Sequence, residues 1–217
     1  MSRNLATFVF LCLMTLLSSS ALSTAEAGSG WKNRPYVNLG GGSGFARYSV
    51  GGESEMALLV GSEAGFQYTQ RDGPLEGRTR IAGQVAGVVG GWGVDTRVGS
   101  FLGIRRSLWG IEIGADLFRN DFTGKEVAFV ESGGVDVPLR LKLGPKWFEA
   151  VGTITPAYLM DPERRAEVSP LLGDYAHELE LAVGLEIGLP IVGVSVTYRE
   201  RLMSTGRIEG IYFGLEL

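Results

Sequence analysis

From Leu179 to Leu202 the chain reads LELAVGLEIGLPIVGVSVTYRERL, and its residues alternate in character at every step. Leu179, Leu181, Val183, Leu185, Ile187 and Leu189 hold the odd positions; Glu180, Ala182, Gly184, Glu186 and Gly188 hold the even ones. Past Pro190-Ile191 the parity reverses, setting Val192, Val194, Val196 and Tyr198 against Gly193, Ser195, Thr197 and Arg199. A period of two over this length predicts two strands, each with one apolar and one polar face. A two-residue connection between them predicts a hairpin. The pattern leaves open which face meets the interior of the protein and which meets its surroundings.

The same alternation runs through most of the chain. Met56, Leu58, Val60, Ala64, Phe66 and Tyr68 oppose Gly61, Glu63, Gly65 and Gln67. Val94, Thr96, Val98, Leu102 and Ile104 oppose Asp95, Arg97, Gly99 and Gly103; Trp109, Ile111, Ile113, Ala115 and Leu117 oppose Gly110, Glu112, Gly114 and Asp116. Val135, Val137, Leu139, Leu141 and Leu143 oppose Asp136, Arg140 and Lys142, and Phe148, Ala150, Ile154 and Tyr158 oppose Glu149, Thr153 and Thr155. A last strand sets Ile211, Phe213, Leu215 and Leu217 against Gly210, Tyr212, Gly214 and Glu216. Segments 36–48 and 79–89 are glycine-rich and less clearly sided, so the count is about ten strands, with eight or twelve as alternatives.

The first residues have a different logic. Arg3, the apolar run Phe8–Leu17 and the small-x-small triplet Ala25-Glu26-Ala27 read as a secretory signal peptide over residues 1–27, with a single domain over 28–217. The apolar run is too short to cross a bilayer as a helix. The one cysteine, Cys12, lies within it, so the exported chain has no disulfide, thiolate metal ligand or thiol nucleophile. The formal charge of −4 comes from both signs spread along the sequence, without a basic run, and nucleic acid is set aside as a partner. No cofactor or metal motif stands out.

Connections and faces then suggest where the strands sit. Tight turns at Arg106-Ser107, Gly144-Pro145-Lys146 and Pro190-Ile191 fall on one end; the longer segments 120–133 and 161–174 fall on the other. That is the arrangement of an up-and-down antiparallel transmembrane β-barrel. Counting back from the turns places Glu180 opposite Arg201 and Ala182 opposite Arg199, Lys142 opposite Glu149, and Arg97 opposite Asp116. These charges, with Glu63, Glu112, Arg140 and Glu186, are assigned to a narrow lumen, where 33 glycines in 217 residues help make room. The aliphatic face is assigned to hydrocarbon. Trp109, Trp147 and Phe148 mark one edge of it, and Tyr158, Tyr175 and Tyr198 mark the other as aromatic belts. A soluble barrel with the aliphatic face inward is the competing arrangement.

The hairpin periodicity, the signal peptide and the terminal strand GIYFGLEL resemble the small bacterial outer-membrane β-barrel proteins, the OmpA-type class of eight to twelve strands. The resemblance implies the cell outer membrane as the address, with outer-membrane lipids and the barrel-insertion machinery as partners. Members usually end in an aromatic residue; this chain ends in Leu217, with Tyr212 and Phe213 upstream. The only histidine, His177, shares an outward face with Tyr175 and Leu179. Outer-membrane lipid A deacylases place a serine two residues from their histidine, where this chain has Leu179, so His177 reads as an interfacial histidine beside a belt tyrosine.

Three functions follow as expectations. The leading one is a non-enzymatic structural anchor or partner-binding component of a cell-envelope assembly, using loops 120–133 and 161–174 to contact other envelope proteins. The second is a narrow porin-like channel for small solutes, and the third is a membrane-embedded hydrolase using His177.

Overall fold

A computed structural model describes residues 31–88, 91–125, 127, 132–160, 176–188, 192–203 and 206–216. Eleven antiparallel strand segments follow one another in the chain: β1 (Trp31–Val50), β2 (Glu53–Gln70), β3 (Leu75–Val88), β4 (Gly91–Arg105), β5 (Trp109–Thr123), β6 (Ser132–Asp136), β7 (Leu139–Leu143), β8 (Phe148–Leu159), β9 (Glu178–Gly188), β10 (Gly193–Leu202) and β11 (Gly206–Glu216). Apart from β6 and β7, consecutive strands pair with each other, and β1 pairs with β11, so the sheet closes on itself and no edge remains. Among the described residues there is no helix.

Segments β6 and β7 are two halves of one wall strand. Both pair with β5 on one side and with β8 on the other, in the same register. The interruption falls at Val137-Pro138, because Pro138 has no N–H to give the ladder. Its carbonyl still accepts from Gly114 N at 2.9 Å, and Val137 N donates to the Pro156 carbonyl at 2.9 Å. The barrel therefore has ten strands, the number expected.

Orientation is decided by exposure. Asp136 is fully buried and Asp116 is 1% exposed, whereas Val183 keeps 62% of its surface and Ile113 keeps 56%. A soluble barrel would show the reverse, so that arrangement is ruled out. The outward wall carries Leu102, Ile111, Leu141, Leu185, Val196 and Ile211, all exposed. From Trp109 to Leu117 along β5, at about 3.4 Å per residue and a tilt of about 40°, this apolar band rises roughly 20 Å. A wall of that composition and height has hydrocarbon as its solvent.

The connections β2–β3, β4–β5, β7–β8 and β9–β10 share one end, hereafter the turn end. The turns expected around Arg106-Ser107 and Gly144-Pro145-Lys146 lie there, and three rim hydrogen bonds fix neighbours to one another: Arg105 N to Pro74 O at 2.7 Å, Gly144 N to Leu108 O at 2.9 Å, and Gly188 N to Trp147 O at 3.1 Å. The opposite, loop end carries the two long connections after β5 and β8. It also has short ones after β1, β3 and β10, so the contrast between ends is milder than the sequence suggests.

Register agrees with expectation in one hairpin and differs in two. Across β9–β10, Arg201 pairs with Glu180 and Arg199 with Ala182; the turn residues 189–191 lie outside the described set. Across β4–β5, Arg97 pairs with Phe118, and Asp116 with Gly99, which corrects the expected Arg97–Asp116 opposition. The cause is a turn centred one residue later, on Ser107-Leu108, with Arg106 N bonded to Trp109 O at 2.8 Å. Across β7–β8, Lys142 pairs with Val151, not Glu149, because Phe148 N closes onto Pro145 O at 2.8 Å and lengthens the turn. In both cases the slip is two residues, which changes partners but leaves every side chain on its expected face.

Candidate functional site: a charged lumen closed at one end

Every inward position of the wall projects into one narrow tube, so a lumenal residue meets side chains from several strands as well as its own neighbours. Near the turn end, Lys142 reaches Glu112 on β5 at 2.6 Å and Glu76 on β3 at 3.3 Å. Arg140 bridges Glu112 at 3.5 Å and also pairs with Glu186 on β9. Arg105 pairs with Glu149 across Gly110 and donates to the Gly144 carbonyl at 2.8 Å. At mid-height Arg80 pairs with Asp116 and, at 3.3 Å, with Glu63, which accepts from the Tyr36 hydroxyl at 2.6 Å.

A third layer lies toward the loop end. Arg97 binds Asp95 and Glu180 at 3.1 Å each and Asp136 at 3.3 Å. Arg201 binds Glu178 at 2.7 Å, Asp136 at 3.3 Å and Glu180 at 3.8 Å. Aromatic rings separate the cations: Phe101 lies under both Arg78 and Arg80, at 4.4 and 4.8 Å, and Phe118 lies 4.4 Å from Arg201.

Glycine gives these side chains their space. A Cβ on Gly99 would stand 1.9 Å from Asp116 Oδ1, and one on Gly114 would stand 2.4 Å from the Phe101 ring. These two glycines are what allow a carboxylate and a phenyl ring to lie flat across the tube.

Above the third layer the chemistry changes. Tyr48 and Phe122 stack with centroids 4.0 Å apart and planes 7° apart. Ala46, Ala57, Leu59, Ala86, Val127 and Tyr212 pack with them into a buried apolar cap inside the loop end. Arg199 lies 4.6 Å from the Tyr212 ring, on the lower side of that cap. Below it a cavity of about 400 Å³ runs between the ion pairs, and its lining reaches the turn-end residues Lys146, Gly188 and Glu216. Beside the cap lies a second cavity of about 40 Å³, room for roughly one water.

The residues expected in the lumen, Arg97, Asp116, Lys142, Glu149, Glu180, Glu186, Arg199 and Arg201, all lie on inward positions. Their partners differ in part from expectation: Asp116 takes Arg80, Lys142 takes Glu112, and Glu149 takes Arg105. Sequence reasoning missed Arg78, Arg80, Arg105 and the cap. Continued parity would have found the arginines, since Arg78 and Arg80 share one face of β3, and Arg105 shares a face with Arg97 and Phe101. The cap draws on the weakly sided segments through Ala46, Tyr48 and Ala86 and on the connection after β5 through Val127, while Ala57, Leu59 and Tyr212 sit on inward positions of strands whose alternation was read, a signal that parity carried and the charge count passed over.

On the outer wall, Trp109 and Phe148 are exposed at the turn end and Tyr158 at the loop end; Tyr198 is exposed too, but it pairs with Val183 midway along β9 and β10, which corrects its expected place in the loop-end belt. Tyr175 lies outside the described residues. Trp92, 59% exposed at the loop end, is an addition to the expected set. His177 accepts from Leu159 N at 3.4 Å through Nδ1 and meets the Tyr158 ring edge-on at 6.4 Å.

A closed antiparallel barrel with an apolar wall, aromatic edges and a charged lumen defines an outer-membrane-type β-barrel protein. In shape the chain is similar to Neisserial surface protein A, at 13% identity and a TM-score of 0.42, over 86% of this chain and 98% of that one. It is also similar to the translocator domain of the autotransporter NalP from Neisseria meningitidis, at 9% identity and a TM-score of 0.40, over 97% of each chain. The β domain of the Bordetella autotransporter BrkA compares at 11% identity and a TM-score of 0.43, over 85% of this chain and 98% of that one. These likenesses are distant and say nothing of a role. No protein-family model matches the sequence, and no curated protein does.

Proposed function

We propose that the protein is a non-conducting integral barrel of the bacterial outer membrane, serving as a structural anchor or partner-binding component of an envelope assembly. The carrying observation is that the cavity threading the three layers of ion pairs opens toward the turn end and ends against the Tyr48–Phe122 cap, beside which about 40 Å³ of space lies. An ion entering between the pairs from the turn end would still have to pass an apolar plug that offers it no polar partner. This supports the anchor reading over a porin-like channel.

The address rests on the leader-like residues 1–27 and on the outward apolar wall. With short turns conventionally periplasmic, the turn end faces the periplasm and the capped loop end faces outward. Partner contacts are assigned to the two long loop-end connections; segment 161–174 and much of 120–133 lie outside the described residues. Planar-bilayer recording of the purified protein tests the reading. A silent bilayer is expected, and discrete, stable openings would overturn it in favour of the channel.

A further inference from the structure

The two ends of the barrel satisfy their surface charges differently. At the loop end, Arg47 lies 3.6 Å from Glu209, and Arg207 lies 3.3 Å from Glu200 and 3.5 Å from Glu209. At the turn end, the β2–β3, β4–β5 and β7–β8 turns each carry one exposed cation, Arg71, Arg106 and Lys146. None of the three forms an ion pair among the described residues, and Asp72 is the one carboxylate on those turns. Lys32 and Arg34, exposed on the part of β1 that runs beyond its pairing with β11, add positive charge at the mouth.

Apolar groups lie next to these cations. Leu108 and Trp147, at the turn tips, are 62% and 66% exposed, and Trp109 and Phe148 follow them onto the outer wall. The rim hydrogen bonds between neighbouring turns hold this ledge in place. Unpaired cations beside interfacial indoles, at the edge of a hydrocarbon-facing wall, complement a phosphodiester that carries acyl chains.

We propose that the turn-end rim is a docking surface for the headgroups of anionic glycerophospholipids. Arg71, Arg106 and Lys146 face the phosphodiester oxygens, while Leu108, Trp109, Trp147 and Phe148 receive the upper acyl chains. The proposal rests on the transmembrane placement of the barrel and is independent of whether the lumen conducts.

The test is to fold the purified protein into vesicles of equal phosphatidylcholine and phosphatidylglycerol, extract it in mild detergent, and count retained lipids by native mass spectrometry. The expected result is roughly fivefold preference for phosphatidylglycerol, weakened by added salt. The preference is expected to vanish in R71Q/R106Q/K146Q and to persist in R47Q/R207Q, which removes the paired loop-end cations. Equal retention of both lipids by the unaltered protein, or an undiminished preference in the triple variant, would overturn the proposal. Should the triple variant not fold, the salt series on the unaltered protein decides, with a salt-insensitive preference counting against headgroup pairing. A protein that folds in buffer and enters neither lipid would instead overturn the transmembrane placement itself.

Discussion

Arg201 and Asp136 meet inside the barrel with Nη2 3.3 Å from Oδ1, and neither residue exposes more than 4% of its surface. They come from β10 and β6, strands separated in the wall by β9 and β8, so the contact ties non-adjacent parts of the ring together. Glu178 and Glu180 share the same guanidinium.

Removing that guanidinium leaves Asp136 and Glu180 to Arg97 and takes from buried Glu178 the arginine it pairs with. Arg201→Met is expected to cost about 3–5 kcal/mol, and Arg201→Lys less. Urea titration of the barrel folded in lipid vesicles measures both, and an Arg201→Met variant as stable as the parent would contradict the layered lumen.

The cap makes a separate prediction. Phe122→Ala removes a ring stacked on Tyr48 within a buried apolar cluster and is expected to destabilise by about 3–5 kcal/mol. The same titration reports it. A change below about 1 kcal/mol would mean that the cap is not packed as described.

Gly114 is predicted to tolerate no side chain of size. Gly114→Leu drives carbon atoms into the Phe101 ring, which already packs against Arg78 and Arg80. A loss of about 1–3 kcal/mol is expected. Combining it with Phe101→Ala should restore part of the loss, and a purely additive double variant would argue that the two do not share space.

The outward face is tested by charge. Val183→Arg places a guanidinium in the middle of the apolar wall and is expected to cost about 2–4 kcal/mol in a bilayer. Val37→Arg, near the turn-end rim, should cost about 1 kcal/mol or less. Equal costs at the two depths would be inconsistent with a hydrocarbon band.

How far the sequence carried the fold depended on what each signal measures. Face assignment was legible almost throughout, because a period of two leaves one choice per strand. Leu179, Val183 and Ile187 stand outward and Glu180 inward, as parity requires. Register was less legible. A slip of two preserves parity, so nothing in the alternation distinguishes Arg97–Asp116 from Arg97–Phe118; the turn bond from Arg106 N to Trp109 O does. Strand β3 was obscured because its outward residues mix Ile81 and Val85 with Gly77, Thr79 and Gly83. Cross-lumen pairs such as Lys142–Glu76 join strands that are not hairpin partners, and no hairpin count can reach them. Closure of the ring by β1 and β11 depends on strand number, tilt and stagger together, which a single strand does not encode.

The central claim is that the aliphatic wall faces acyl chains and the charged face a closed lumen. Because Cys12 is the only cysteine, single-cysteine chains beginning after residue 27 can carry a fluorophore at Val183 or at the adjacent inward Ala182. With the protein folded in vesicles containing brominated lipid, strong quenching is predicted at position 183 and little at 182. Quenching confined to position 182, or absent at both while a water-soluble quencher reaches 183, would contradict it.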